Sequence, residues 1–67
     1  MKKHTLTIHG HMTSISLEDE FWDALKQAAS EDNISVPRLV AQIDEGRTTG
    51  LSSAIRVYLF KRLAERA

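Results

Sequence analysis

The chain has 67 residues and no cysteine, so it forms one domain at most and contains neither a disulfide nor a cysteine metal site. A domain of this size buries only about 60% of its unfolded surface, which favours oligomerisation as the stabilising device. The net charge is zero, but residues 1–17 carry +2, residues 18–33 carry −5 and residues 34–67 carry +3. No window approaches the roughly 20 apolar residues of a membrane span, and no apolar signal core follows the first lysines. We therefore expect a cytoplasmic protein with no membrane partner.

The N-terminal part of the chain is predicted to contain one strand. Residues 1–10 are interpreted as a basic N-terminal arm, in which Leu6 and Ile8 alternate with polar residues and could extend a strand. From His11 the alternation becomes strict and divides the next residues between two faces. Thr13, Ile15 and Leu17 lie on one face, and the other carries Met12, Ser14 and Ser16.

A first helix should begin near position 17 or 18. Acidic residues at positions 18–20 suit the positive end of the helix dipole, and Ser16 with Asp19 has the spacing of a variant capping box. The spacing of Phe21, Leu25, Ala28 and Ala29 predicts a buried stripe. The helix should end at residues 32–33, where Asn33 can adopt a left-handed conformation.

Two further helices are predicted in the second half of the chain. Ser35 is a strong N-cap, Pro37 suits the first turn that follows it, and Gly46 should close this helix. A third helix over about residues 52–65, capped by Ser52 or Ser53, has two apolar seams. One seam contains Ile55, Tyr58, Leu59 and Leu63, and the other contains Val57, Phe60 and Ala64. Residues 11–67 are thus expected to form a single, mainly α domain with one N-terminal strand.

A lone strand leaves its backbone N–H and C=O groups without partners, which is costly when they are buried. The simplest solution is pairing with the same strand of a second chain. A homodimer would then carry a two-stranded antiparallel ribbon across its two-fold axis. Such a ribbon fits the major groove of B-DNA.

The stretch TSISLEDEFWDALKQAASEDNISVPRLVAQID, residues 13–44, resembles the ribbon-helix-helix superfamily of bacterial DNA-binding proteins, the group of the Arc and methionine repressors. More narrowly, IHGHMTSISLEDEFWDALKQAASEDNIS with LSSAIRVYLFKRL resembles a family of short proteobacterial proteins predicted to have this fold. The resemblance implies a homodimer that binds double-stranded DNA and acts as a sequence-specific transcriptional regulator, a repressor in function. It also implies that two dimers assemble on neighbouring half-sites.

The resemblance assigns base contacts to the outward strand positions Met12, Ser14 and Ser16. Serine hydroxyls discriminate bases less sharply than arginine or asparagine, and Met12 replaces the polar or basic residue usual at its position. The alternative is that Ser14 and Ser16 only form the solvent face of a strand.

Phosphate contacts are predicted at three places. Lys2 and Lys3 belong to the arm, and His11 lies at the start of the strand. By resemblance, the start of the second helix also binds a phosphate, through Ser35 and Val36, with Arg38 adding its side chain. The alternative readings are a solvated terminus and a serine that only caps a helix.

Other functional classes find little support. No nucleophile stands beside a base and no phosphate loop is present, so an enzyme is not predicted and no cofactor is expected. A metal site is not predicted for His4, His9 and His11, because no carboxylate or thiolate accompanies them at matching spacing. Arg56, Lys61, Arg62 and Arg66 are interpreted mainly as a solvated face. The alternative function is a protein–protein interaction module, or an antitoxin-like dimer, with weak DNA binding.

Overall fold

The computed structural model describes residues 1–66 and has a β-hairpin followed by three helices. The hairpin consists of β1, Lys2–Ile8, and β2, His11–Leu17. The helices are α1, Asp19–Glu31, α2, Val36–Glu45, and α3, Leu51–Arg66. The predicted ribbon-helix-helix order with an added C-terminal helix is confirmed.

The hairpin differs from the expected arm and single strand. β1 pairs antiparallel with β2 along its whole length, from Lys2 opposite Leu17 to Ile8 opposite His11. The connection has only two residues, His9 and Gly10, both with positive φ, of 52° and 79°. Two successive left-handed residues are the geometry of a type I′ turn, whose twist matches that of the flanking strands. The partner that β2 was expected to find only in a second chain is therefore also present in its own chain.

The first helix begins without the capping box predicted from Ser16 and Asp19. Glu18 is the N-cap, and no side chain bonds to the first N–H groups. The strand continues to Leu17, so Ser16 is still in extended backbone and too early to act as a cap. The other end agrees with the prediction, because Asn33 has φ 57° and Ile34 N–H bonds to Ala29 O at 3.0 Å.

The second helix has the predicted cap, and the third begins earlier than predicted. Ser35 Oγ accepts from Arg38 N–H at 3.2 Å, and Gly46 is the C-cap of α2. Helix α3 begins at Leu51, with Ala54 N–H bonded to Gly50 O at 2.9 Å. Ser52 and Ser53 therefore lie in its first turn and do not precede it as caps.

The core lies between the inner face of the hairpin and the three helices. Each element supplies at least one buried residue, and the set is Ile8, Ile15, Leu17, Leu25, Ala28, Ala29, Leu39, Val40, Ile55 and Leu59. This burial confirms the inner face predicted for β2 and the apolar stripe of α1. Within residues 1–66, no helix has both the length and the apolar character needed to cross a membrane.

Candidate nucleic-acid interface

The outward face of the hairpin is a small polar surface made by both strands. The register and the alternation of strand residues place six side chains on it: Lys3, Thr5, Thr7, Met12, Ser14 and Ser16. Five of them are exposed and Ser16 is half-buried. The predicted base-contacting residues thus share one face, and their neighbours on β1 join them. The sequence analysis missed Thr5 and Thr7, although their alternation with Leu6 and Ile8 was visible.

Two hydroxyl groups meet at the middle of this face. Thr5 Oγ1 and Ser14 Oγ are 3.2 Å apart and exposed, and either can be the donor. Met12 lies one outward position away on β2, opposite Thr7, and is 78% exposed. The face therefore combines exposed hydroxyl groups with one exposed apolar side chain, and it carries no carboxylate.

The two predicted phosphate-binding lysines lie in different surroundings. Lys3 is opposite Ser16 and is the one charged residue of the outward face. Lys2 is opposite Leu17, and it lines a surface pocket with Glu18, Asp19 and Glu20. The three acids near Lys2 would compete with phosphate for it, so Lys3 is the better candidate for a phosphate contact.

The start of α2 offers one backbone donor within its first turn. Arg38 N–H bonds to Ser35 Oγ, and Leu39 N–H bonds to Ser35 O at 3.0 Å. Pro37 has no N–H, so Val36 supplies the remaining donor of the turn. The side chains of Ser35 and Arg38 are exposed beside it. His11, the other predicted phosphate contact, is exposed at the turn end of the hairpin.

The arginines of α3 do not form the solvated face that was expected. Arg62 bonds to Glu31 at 3.1 Å and to Asp32 at 2.9 Å, and Arg66 bonds to Glu31 at 2.8 Å. Arg56 bonds to Glu18 at 3.0 Å. Three of the six acids in residues 18–33 are thus paired with arginines of α3, which partly neutralises this segment. Charges 30 or more positions apart pair only once the helices pack, so the sequence pattern could not show these contacts.

These pairs shift the ionisation of the groups that make them. The hydrogen bond from Arg62 is the main cause that lowers the pKa of Glu31 and of Asp32. The pKa of Glu18 is lowered first by a backbone hydrogen bond and then by Arg56. The hydrogen bonds of Arg62 to Asp32 and Glu31 in turn raise the pKa of Arg62. All four groups therefore stay charged at neutral pH.

His4 lies apart from His9 and His11. His4, on the inner face, stacks on Trp22 with ring centroids 3.7 Å apart and an interplanar angle of 7°. Its Nε2 atom is buried with no hydrogen-bond partner in residues 1–66. His9 and His11 border a shallow pocket at the turn, together with Asp44 and Arg47. The described residues contain no group of three or more side chains suited to a metal.

The third helix exposes large apolar side chains. Ile55 and Leu59 are buried, whereas Phe60 is 71% and Leu63 is 70% exposed, and Val57 is exposed as well. The sequence places Leu63 on one seam with Ile55 and Leu59, but Leu63 is exposed whereas those two residues are buried. A groove of about 390 Å³ between α1 and α3 is bordered by Phe21, Ala24, Phe60 and Leu63. We call Val57, Phe60 and Leu63 the α3 seam.

The chain was compared with known proteins. A family model described as ribbon-helix-helix domain matches residues 1–63. Among solved structures, the chain is similar to an uncharacterized protein from Bordetella pertussis Tohama I, with a TM-score of 0.78 and 28% sequence identity. The match covers 94% of this chain and 55% of that one, so the chain spans about half the length of this relative. No curated protein matches.

The family match agrees with the architecture on which it falls. Residues 1–63 include the hairpin, α1, α2 and most of α3. Ribbon-helix-helix domains are of the DNA-binding, regulatory type, generally bind DNA as dimers and are not typically enzymes. The hairpin with a polar outer face, followed by α1 and a capped α2, is the arrangement that gives the family its name. The chain belongs to the ribbon-helix-helix domain family.

Proposed function

We propose that the protein is a sequence-specific DNA-binding transcriptional regulator, a repressor, that acts as a homodimer and places its ribbon in the major groove. The observation that carries the proposal is the outward face of the hairpin. It presents four hydroxyl-bearing residues, three of them exposed, near exposed Met12, with Lys3 as its one charge and no carboxylate. Hydroxyl groups and apolar contacts read base edges, and a lysine binds phosphate.

The second chain joins at the free edge of β2. Within residues 1–66, β2 pairs with β1 on one edge and with no strand on the other. Antiparallel pairing of two such edges across a two-fold axis gives a four-stranded sheet, with β1 of each chain outermost. With strands about 4.8 Å apart, the central pair fits a groove about 12 Å wide, and each β1 lies near its rim.

This arrangement gives the predicted contacts distinct roles. Met12, Ser14 and Ser16 lie on the central strands and face the bases. Lys3 lies on β1, near the phosphates at the rim of the groove. The N–H of Val36, with Ser35 and Arg38 beside it, binds a further phosphate at the start of α2, and His11 adds a contact at the turn. Lys2 contributes less because acids surround it.

A fluorescence-anisotropy titration tests the proposal. The protein is titrated onto DNA from its own upstream region and onto random DNA, at several salt concentrations. We expect tighter binding to one sequence. Ser14→Ala with Ser16→Ala should remove that preference, whereas Ser53→Ala, an exposed serine of α3, should not.

The salt dependence tests the role of the lysine. Each lost phosphate contact reduces the log–log salt slope by about 0.9, so Lys3→Gln should reduce it by about 1.8 in a dimer. Lys61→Gln, an exposed lysine on α3, should leave the slope unchanged. If wild-type protein binds neither DNA at low salt, the proposal is wrong.

The α3 seam favours a second candidate function. Phe60 and Leu63 border an apolar groove and are mostly exposed, as in a surface that binds another protein. An interaction module, or an antitoxin-like dimer with weak DNA binding, would use this surface. Self-association through the seam is the competing explanation, and sedimentation equilibrium on Phe60→Glu separates the two.

A further inference from the structure

We propose that Thr5 and Ser14 act together as one base-reading unit that recognises adenine, with Met12 beside it on the methyl group of a neighbouring thymine. The inference rests on the proposed function, because it requires the outward face to lie in the major groove. It assigns a specificity-determining role to a residue of β1, and it names the base pair that the ribbon prefers.

The unit is defined by the contact between the two hydroxyl groups. Thr5 and Ser14 are directly opposite in the register, and their oxygen atoms are 3.2 Å apart on the exposed face. Each hydroxyl has one hydrogen and two acceptor lone pairs. One of the two hydrogens makes the mutual hydrogen bond, so the pair presents one free O–H donor beside free lone pairs. Neither residue alone offers this fixed arrangement.

A donor beside an acceptor matches one base edge better than the others. In the major groove, adenine presents the N7 acceptor next to the N6 amino donor, which asparagine and glutamine read with a similar pair of groups. The free O–H donates to N7, and a hydroxyl oxygen accepts from N6. Guanine presents two acceptors, N7 and O6, so one of them would have no donor from the pair. Adenine is therefore preferred over guanine.

Met12 extends the preference to the adjoining position. It precedes Ser14 by two residues on the same face of β2 and is 78% exposed. An apolar side chain in the major groove loses less by contacting the thymine methyl group than by facing a polar base edge. The hydroxyl pair and Met12 together favour an A·T-rich step.

The position of the unit in the sheet is compatible with this reading. With strands about 4.8 Å apart, a site between β1 and β2 lies about 5 Å from the dimer axis. Half the width of the major groove is about 6 Å, so the midpoint of the unit lies just inside it, with Ser14 within the groove and Thr5 at its edge. Lys3 lies on the same outer strand as Thr5, and its longer side chain can reach the phosphates at the rim.

The experiment replaces one nitrogen atom of the DNA at a time. The preferred site is first selected from a random library, and each adenine in it is then replaced in turn by 7-deazaadenine, which keeps base pairing but lacks the N7 acceptor. We expect one position at which this change weakens wild-type binding by about fivefold or more. At that position, Thr5→Val and Ser14→Ala proteins should show the same affinity for both DNAs.

Control variants separate failure of this inference from failure of the proposed function. Thr48→Val removes an exposed threonine hydroxyl from the connection between α2 and α3, and 7-deazaadenine should weaken its binding as much as that of wild type. Circular dichroism checks that the two hairpin variants are folded. If wild type binds no DNA, the proposed function fails. If wild type selects a sequence but 7-deazaadenine weakens its binding at no position, only the reading by Thr5 and Ser14 is overturned. The same holds if 7-deazaadenine weakens binding of the two hairpin variants as much as that of wild type.

Discussion

The imidazole of His4 lies flat on the indole of Trp22, with one nitrogen buried and unbonded in residues 1–66. An aromatic pair of this kind contributes about 1 kcal/mol, and an unbonded buried polar atom costs about 1–3 kcal/mol. We expect His4→Ala to be less stable than His4→Phe by about 1 kcal/mol, because both variants lose the unbonded nitrogen but only His4→Ala loses the stack. His4→Phe should leave the free energy of unfolding unchanged or raise it, because the stack remains and the polar atom is gone.

Urea unfolding measures both variants, and the exposed His11→Ala serves as a control on the same hairpin. The control should stay within about 0.5 kcal/mol of wild type. A loss of stability in His4→Phe would show that Nε2 has a partner in the assembled protein.

The Arg62 contacts predict how stability depends on pH. They lower the pKa of Glu31 and Asp32 in the folded state, so these carboxylates stabilise the fold above their unfolded pKa values of about 4. This stabilisation is lost as the pH falls through the lowered values. Arg62→Gln should therefore flatten the dependence of the melting temperature on pH below about pH 5.

Melting temperatures recorded between about pH 7 and pH 3 test this expectation. Glu65→Gln is the matched control, because Glu65 is an exposed acid on the same helix and has no ion pair within residues 1–66. If the melting temperature of Arg62→Gln depends on pH as steeply as that of wild type, the ion pairs of Arg62 with Glu31 and Asp32 contribute nothing to stability in solution.

At the scale of elements, the hairpin turn can be tested with two glycines. Gly10 has φ 79°, whereas Gly46 at the end of α2 has φ −102°, and each has open space where a Cβ atom would lie. Left-handed backbone costs a residue with a side chain about 1–2 kcal/mol. Gly10→Ala should thus lower the free energy of unfolding by that amount, and Gly46→Ala should change it little.

Chemical denaturation of the two variants gives the comparison directly. Because neither Cβ atom meets a neighbour, the difference between them reports backbone conformation alone. If Gly10→Ala is as stable as Gly46→Ala, residues 1–10 behave as the arm that the sequence predicted and the hairpin is not formed in solution.

The elements also show what the sequence could reveal. Strict alternation from His11 was sufficient for β2, and Ser35 with Pro37 was sufficient for the start of α2, because strand faces and helix caps are local properties. β1 was missed as a paired strand because its alternation is short and its pairing depends on the conformation of His9. The face of α3 that carries Leu63 could not be assigned, since the sequence shows two apolar seams and packing selects between them.

The candidate site was predictable to a similar extent. The outward position of Met12, Ser14 and Ser16 follows from the period of a strand. The contact of Thr5 with Ser14 required the register, and the partial neutralisation of the acidic segment required the packing of α3 on α1. Neither is a local property of the sequence.

At the scale of the whole molecule, the α3 seam predicts self-association. Burying an exposed phenylalanine contributes about 1.5–3 kcal/mol, and a symmetric dimer that covers the seam would bury one from each chain, so Phe60→Glu should weaken such a dimer by about a hundredfold or more. Phe60 is mostly exposed within the chain, so the fold of the protomer should survive the change. Sedimentation equilibrium over a range of concentrations measures the dissociation constant.

Lys61→Ala, the neighbouring exposed position, is the control and should associate as wild type does. If Phe60→Glu leaves the dissociation constant of the dimer unchanged, the dimer does not cover the seam. That result would favour the second candidate function, in which the seam binds a different protein.

The two-residue turn of the hairpin also has a kinetic consequence. Strands joined by so short a connection form contacts that are local in sequence, and hairpins of this kind form within about 1–10 μs. Strand pairing inside one protomer is a first-order event whose rate does not depend on protein concentration. The outward face of the hairpin, which we propose to face DNA, therefore forms without a second chain, and a single chain at low abundance would already carry half of the proposed four-stranded sheet.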